Sequence, residues 1–294
     1  MADYVLSCCS TVDLNLDQIK KYNLSIVNYH FYLDDKKYTD DFGQSIPLKE
    51  FYQAMVDGAD TKTAQVNVEE FTEYFTPILE SGKDIVHICM SSGITGVFNS
   101  ANIAKADLEE KFPERKIYIV DSLAASSGYG LFMVKLAELR DQGLSAEELA
   151  NWAEENKKRM HHWFFTTDLT FFVKGGRVSK VSGWFGTALK ICPLLNVSND
   201  GRLIPRHKLR GKAKVIEAII GKMEEFADEG TDYSGKCYIC NSAVIEDAEA
   251  VKAEILARFP KVECVEIYDI GTTIGAHTGP GTVALFFWGK ERID

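Results

Sequence analysis

The constraint that narrows the fold most is a recurring triplet: a short apolar run, a turn rich in hydroxyls or acids, then a helical pattern. Ile85 to Met90 is such a run, and it feeds straight into Ser91-Ser92-Gly93. From Gly96 the apolar positions Val97, Ala101, Ala104 and Leu108 recur at the spacing of one helix face, and Pro113 closes the pattern. Lys116 to Val120 repeats the run, Asp121-Ser122 the turn, and Gly128 to Arg140 the helix, which ends at Gly143. Wholly apolar strands are covered on both faces, and strands alternating with helices build a parallel sheet. The first half is therefore expected to be a doubly wound, parallel or mixed sheet. Tyr4 to Leu6 is its first strand, closed by Cys8, Cys9, Ser10 and Thr11.

The intervening segments are read by the same means. Leu24 to Leu33 alternates like a strand, and Lys37-Tyr38 returns beside it after the Asp34-Asp35 turn. Pro47 opens a helix over Leu48 to Val56. Thr61 to Val66 reads as a polar connector, and Asn67 with Glu70 forms a capping box for a helix to about Leu79. Thr63 then stands just before a helix start. Ser145 with Glu148 gives a second capping box, whose helix toward Met160 is read as the bridge between two domains, 1–160 and 161–294.

The second half is again α/β, but with antiparallel elements. His162 to Phe165 is a strand and Val181 to Leu189 a short helix. Cys192 to Val197 turns at Asn199-Asp200-Gly201 into Leu203 to Leu209. Gly211 opens a helix, Asp247 to Phe259 is another, and strands are expected at Cys237 to Ala243, Val262 to Tyr268 and Thr282 to Trp288. A groove between the two domains is the natural ligand site.

Charge and cysteine usage exclude several function classes. With 43 acidic and 33 basic residues the net charge is -10, which disfavours nucleic acid as a partner. One basic stripe interrupts this acidity: Arg202, Arg206, His207, Lys208, Arg210, Lys212 and Lys214. No basic segment precedes an apolar one at the amino terminus, and no stretch approaches the roughly 20 apolar residues of a membrane span. Seven irregularly spaced cysteines fit a reducing cytoplasm. Cys237 and Cys240 have CxxC spacing, but on a strand they face opposite ways and make a poor chelate or redox pair.

Three glycine-rich stretches are expected to converge on one small anion, a carboxylate. The first is Gly275-Ala276-His277-Thr278-Gly279-Pro280-Gly281, read as a loop too rich in glycine for a helix. The second is Ser91-Ser92-Gly93-Ile94-Thr95-Gly96, whose hydroxyls at Ser91, Ser92 and Thr95 serve equally as a helix cap or an oxyanion cradle. The third ends in Gly175-Gly176-Arg177, where Arg177 is read as a structural or gating ion pair near the site. His277 donates one hydrogen bond to the anion, or becomes charged beside it. Thr63 extends the hydroxyl set.

No GxSxG elbow, P-loop, GxGxxG or HExxH occurs, so no nucleotide, metal or other cofactor is expected. An anion cradle without an evident nucleophile and base points to binding rather than turnover. The alternative is an enzyme acting on a small carboxylate or phosphoester, with Cys8 or Cys9 as nucleophile. Phe164, Phe165, Leu169, Phe171, Phe172, Trp184, Phe185, Leu189, Ile191, Leu194 and Leu195 suffice for a core and an apolar tunnel behind the cradle. A carboxylate head with an apolar tail describes a fatty acid.

Taken in order, these motifs resemble the DegV family, two-domain α/β proteins of the EDD fold that bind long-chain fatty acids. The likeness runs through Ser10-Thr11-Val12-Asp13-Leu14, Thr63-Ala64-Gln65, Ser91 to Gly96, Asp121-Ser122, Gly175-Gly176-Arg177-Val178, Pro193 with Asp200-Gly201, Arg210-Gly211 and His277-Thr278-Gly279-Pro280-Gly281. The resemblance implies a carboxylate held by hydroxyls matching Thr63 and Ser92, aided by His277, with an acyl chain of roughly C14 to C18 buried between the domains. In some members the protein presents that carboxylate to a separate ATP-binding fatty acid kinase subunit, and the acyl phosphate enters phospholipid synthesis. Arg202, Arg206, Lys208 and Arg210 then become a docking surface for an acidic partner, and membrane contact is transient. Cys9 stands where the family usually has aspartate, and Ala64 and Val66 where it has serine and proline. Thr95 and Val97 replace the usual serine and threonine, which implies altered head-group bonding.

Overall fold

The computed structural model describes residues 4–179 and 191–292. The chain opens with strand β1 (Tyr4–Cys9), a 3-10 turn at Ser10–Val12 and helix α1 (Leu16–Lys21), whose Asn15 cap accepts from the Gln18 N–H. Strand β2 (Ser25–Val27) lies parallel to β1. Next come β3 (His30–Leu33), β4 (Lys36–Thr39), α2 (Leu48–Val56), β5 (Thr61–Ala64) and α3 (Val68–Glu80). The triplets follow as β6 (Asp84–Cys89), α4 (Val97–Lys111), β7 (Ile117–Asp121), α5 (Ser126–Asp141) and α6 (Ala146–Asn156). Both capping boxes form, at Asn67/Glu70 and Ser145/Glu148. The first sheet has the order β2-β1-β6-β7 with every pairing parallel, the doubly wound arrangement expected from the triplets.

The second sheet begins at β8 (Met160–Thr166), followed by α7 (Thr170–Lys174), β9 (Ile191–Val197) and β10 (Leu203–Arg210). Then come α8 (Lys212–Phe226), β11 (Lys236–Asn241), α9 (Ile245–Arg258), β12 (Cys264–Asp269), α10 (Thr272–Thr278) and β13 (Thr282–Trp288). Its order is β10-β9-β8-β13-β11-β12, antiparallel except for β11 beside β12. The architecture is two-domain α/β. Cys237 and Cys240 fall into two separate cores on opposite faces of this sheet, as their spacing on one strand requires. The helix expected at Val181 to Leu189 lies outside the described residues.

Four expectations need correction. Leu24 to Leu33 is two strands in different sheets, because the chain leaves β2 after Val27 and re-pairs at His30 with β4 and β5. Thr61 to Val66 is not wholly a connector, since Thr61–Ala64 is a strand pairing Thr63 with Phe31. Its polar look is local; its partner lies some thirty residues back, and β-branched threonines suit a ladder. The α6 helix packs on β6 and β7, so it covers the first sheet, and the 3-10 turn Lys157–Arg159 makes the crossing instead.

The fourth correction concerns His277, which sits on helix α10 rather than in a loop. Gly275 is needed there for close approach, not for turning: a Cβ at that position would lie 2.5 Å from Tyr52 Oη and 3.1 Å from Phe51 Cε1. The glycines that do turn the chain come after the helix, Gly279 at φ 67° and Gly281 at φ 96°. They swing the chain from α10 directly into β13.

Candidate functional site

One face of the second sheet forms the floor of a cavity of about 220 Å³, many times the ~30 Å³ that one water occupies. Side chains on a strand alternate between faces, so β13 offers Thr282, Ala284 and Phe286 while β8 offers His162 and Phe164. The register sets Ala284 beside Phe164 and Phe286 beside His162, a contiguous floor that Cys240 of β11 extends. Met90, Ile94 and Tyr29 from the first half close the cavity from above. His162 is fully buried and far below its ordinary pKa through desolvation. It accepts the Ala125 N–H at 3.3 Å on Nε2 and faces the Met160 carbonyl with Nδ1, so it is neutral and satisfied.

The polar end is assembled by β5, α10 and the segment after α7. Arg177 Nη1 lies 2.6 Å from the Gly175 carbonyl and 3.2 Å from His277 Nδ1. A guanidinium only donates, so Nδ1 must accept and the imidazole proton resides on Nε2. That Nε2–H points at Thr63 Oγ1, 2.8 Å away. Thr63 accepts this bond and keeps its own hydroxyl proton to give. The chain Arg177, His277, Thr63 thus delivers a polarised O–H donor to a cavity wall. Burial first, and then the charge of Arg177, push the His277 pKa down to about 4, so the imidazole is neutral near pH 7.

Helix α10 is held from several directions. The Tyr52 hydroxyl donates to the Ile270 carbonyl at 2.8 Å, Thr272 donates to Asp40 at 2.8 Å, and Thr61 donates to the Ala276 carbonyl at 3.2 Å. These contacts come from the first half of the chain. The polar end is therefore built across both halves.

The hydroxyls expected in the second loop divide by helical geometry. The Ser91 carbonyl accepts the N–H groups of Ile94 at 3.1 Å and Thr95 at 3.2 Å, so the segment coils as one helical turn. Ser91 and Thr95 then share a face and Ser92 points about 100° away. Ser91 is fully buried; it donates to the Gly201 carbonyl at 2.8 Å and accepts the Gly93 N–H, stitching this turn to the Asp200-Gly201 hairpin. Ser92 is exposed and does not line the cavity, while its N–H is bound by Asp121 Oδ1 at 3.1 Å. Of the three, Thr95 lines the cavity, Ser92 does not, and Ser91 ties the turn to the hairpin.

Thr278 is buried and lines the cavity beside His277. Arg177 faces an imidazole and a carbonyl, and among the described residues no carboxylate pairs with it, so the expected gating ion pair gives way to a charge-to-imidazole contact. Cys8 and Cys9 are fully buried and outside the cavity wall, and desolvation lifts both thiols, Cys9 to about 12. Buried thiols held protonated away from the cavity wall are not placed to attack a cavity ligand, so the structure lends the cysteine-enzyme reading no support. Of the apolar residues expected in a tunnel, Phe164 and Phe172 line the cavity. Phe165 and Leu194 pack in the core beyond the sheet, and Trp184, Phe185 and Leu189 lie outside the described residues.

Tyr29, Thr273 and the β13 face were not picked out from sequence as cavity lining, and Gln65 stood there only as part of the Thr63-Ala64-Gln65 motif. For β13 the signal was present, since period-two reading of Thr282 to Phe286 selects its floor residues. A second hollow of about 420 Å³ shares Ile94, Arg177 and Leu203 with the cavity and adds Arg202 to its lining. Among the described residues no group of three His, Cys, Asp or Glu could hold a metal, and no helix is long and apolar enough to cross a membrane.

A family model described as an uncharacterised protein of the DegV family matches residues 9–290. A fatty acid-binding protein of Thermotoga maritima is 32% identical over 290 residues, covering 96% of each chain. The structure of a DegV family protein from Thermus thermophilus, described as binding fatty acid, superposes with a TM-score of 0.86 at 26% identity, over 98% of this chain and 99% of that one. The fatty acid kinase B3 protein of Streptococcus pneumoniae, loaded with linoleic acid, shares the fold with a TM-score of 0.82 at 22% identity, over 99% of this chain and 100% of that one.

The neutral imidazole gives a signed pH dependence. Folded His277 binds its proton only near pH 4, whereas an unfolded histidine does so near 6.5, so between these values the unfolded state holds more protons. Stability therefore falls as pH drops through this window. Urea denaturation of His277→Gln should show a shallower loss between pH 7 and 4.5, by about 2 kcal/mol relative to the parent. Parallel pH curves for the two proteins would contradict a neutral, buried His277.

Proposed function

Because the chain belongs to the DegV family, we propose that it binds a long-chain fatty acid, with the carboxylate between Thr63 and Thr95 and the acyl chain over the apolar sheet face. The observation that carries this reading is the Arg177-His277-Thr63 array at the edge of a cavity otherwise lined by Met90, Ile94, Phe164, Phe172, Ala284 and Phe286. An uncharged hydroxyl backed by a half-buried cation binds an anion without presenting a nucleophile or a base. Thr278 and the ring of His277 complete the wall. Each buried methylene contributes about 0.8 kcal/mol, so an acyl chain of roughly C14 to C18 supplies most of the affinity and the polar end supplies orientation. In this reading residues 1–160 bring Thr63 and Thr95, and residues 161–294 bring the acyl floor, Arg177 and His277. Free thiols at all seven cysteines suit a cytoplasmic carrier.

The kinase-linked role is a second layer of the same proposal. The B3 protein of a fatty acid kinase shares this fold. Strand β10 is an edge strand carrying Arg202, Arg206, Lys208 and Arg210 beside it or on it, and Arg202 lines the second hollow together with Arg177. A basic edge at the cavity mouth of an acidic protein suits an acidic docking surface, here that of an ATP-binding subunit that would phosphorylate the presented carboxylate. Brief contact with a lipid surface for loading needs no membrane-spanning element.

Native mass spectrometry of the purified protein, with extraction and identification of released lipid, tests the binding reading. One equivalent of a C14 to C18 fatty acid is expected, and Thr63→Val should lower palmitate affinity about tenfold to a hundredfold, the 1.5–3 kcal/mol of a hydrogen bond to a charged group. A protein that carries no fatty acid and refuses added palmitate would remove the function. For the docking surface, Arg202→Glu with Arg210→Glu should weaken capture of an ATP-binding kinase subunit while palmitate binding holds. Simultaneous loss of palmitate binding would show that the basic edge serves the fold or the cavity instead.

A further inference from the structure

Thr95 lines the same cavity as Thr63, yet its proton goes to a protein acceptor. Its Oγ1 donates to Gln65 Oε1 at 2.8 Å, and Gln65 Nε2 in turn donates to Ser100 Oγ at 3.2 Å. In that arrangement Thr95 shows a ligand only lone pairs. A carboxylate also has only lone pairs, so the two would repel.

We propose that Gln65 is the positioning residue that makes this an anion site, by turning its amide so that Nε2 rather than Oε1 faces Thr95. The inference rests on the reading that a fatty acid carboxylate lies between Thr63 and Thr95. Turning the amide costs no hydrogen bond: Nε2 then donates to Thr95 Oγ1, and the Ser100 hydroxyl, which can donate as readily as accept, donates to Oε1. Gly96 leaves the amide room, because a Cβ there would lie 3.2 Å from Oε1 and 3.3 Å from Nε2, tight against either end. The Tyr29 hydroxyl supports the same direction. It is buried and faces Thr95 without a hydrogen bond of normal geometry to any partner.

With Gln65 Nε2 donating to Thr95 Oγ1 and the Tyr29 hydroxyl beside it, that oxygen has a donor behind it and its proton remains for the ligand. This repeats the logic of Thr63, whose oxygen accepts from His277 and whose proton is left to give. The cavity end then offers two outward O–H donors, each oriented from behind by an N–H. Gln65 reaches the cavity wall itself, and in this proposal it acts through Thr95.

The test uses the full chain, with palmitate and its neutral counterpart hexadecanol as probes. In nuclear Overhauser spectra of glutamine-labelled protein with palmitate bound, the Gln65 amide protons are expected near the Thr95 methyl. Contacts to the Ser100 Cβ protons alone, with palmitate bound, would overturn the inference and leave the binding reading intact. Gln65→Glu supplies only acceptors and captures the Thr95 proton permanently. It should lower palmitate affinity about a hundredfold while hexadecanol, which can donate to Thr95, holds within about threefold. Equal loss of both ligands would mark Gln65 as merely structural and overturn the proposal. No palmitate binding by the parent protein would overturn both this and the reading beneath it.

Discussion

Everything at the candidate site depends on one hydrogen bond, His277 Nε2 to Thr63 Oγ1, made at 2.8 Å between residues 214 positions apart. It exists because strand β5 and helix α10 are brought side by side, and it has a direction because Arg177 occupies the other ring nitrogen at 3.2 Å. A cation that cannot accept fixes the tautomer of a neutral ring, and the ring fixes the proton of a hydroxyl. The Arg177 guanidinium shares the cavity wall with this array, so its charge acts on the cavity directly as well as through the ring and the hydroxyl.

The fold serves this contact by sewing its two halves together at the polar end. Tyr52, Thr61 and Asp40 of the first half hold α10, Ser91 holds the Gly201 turn, and the Ala125 N–H is received by His162 of the second sheet. None of these bonds is within a single helix or sheet ladder. They place the cavity floor and the donor wall in one rigid relation, which a site built on two donors requires. The apolar floor follows from register alone, since alternate residues of β8 and β13 face the same side.

How much of this could be read beforehand depends on the range of the interaction concerned. Capping boxes at Asn67/Glu70 and Ser145/Glu148, the Asp200-Gly201 hairpin and the apolar strands of the first sheet are local patterns, and they form as written. The strand at Thr61–Ala64 was hidden because its partner β3 lies far back in the chain. Glycine was misleading around His277: Gly275 reads as a loop signal, but its reason is the Tyr52 ring against the helix, a tertiary fact. Sorting Ser91, Ser92 and Thr95 was beyond the sequence for a similar cause. Three hydroxyls in one turn look alike until the bonds from Ser91 O to the N–H groups of Ile94 and Thr95 set the coil that turns Ser92 outward.

The most direct test of the central claim is carbon-13 NMR of carboxyl-labelled palmitate bound to the full chain, followed as pH is lowered. In the proposed site Thr63, backed by Arg177 through His277, and Thr95, backed by Gln65, favour the charged form, so the bound carboxyl signal should hold its ionised position through pH ~4.3, where an ordinary carboxylic acid is half protonated. A bound signal that titrates like the free acid, or the absence of any bound signal, would contradict the account.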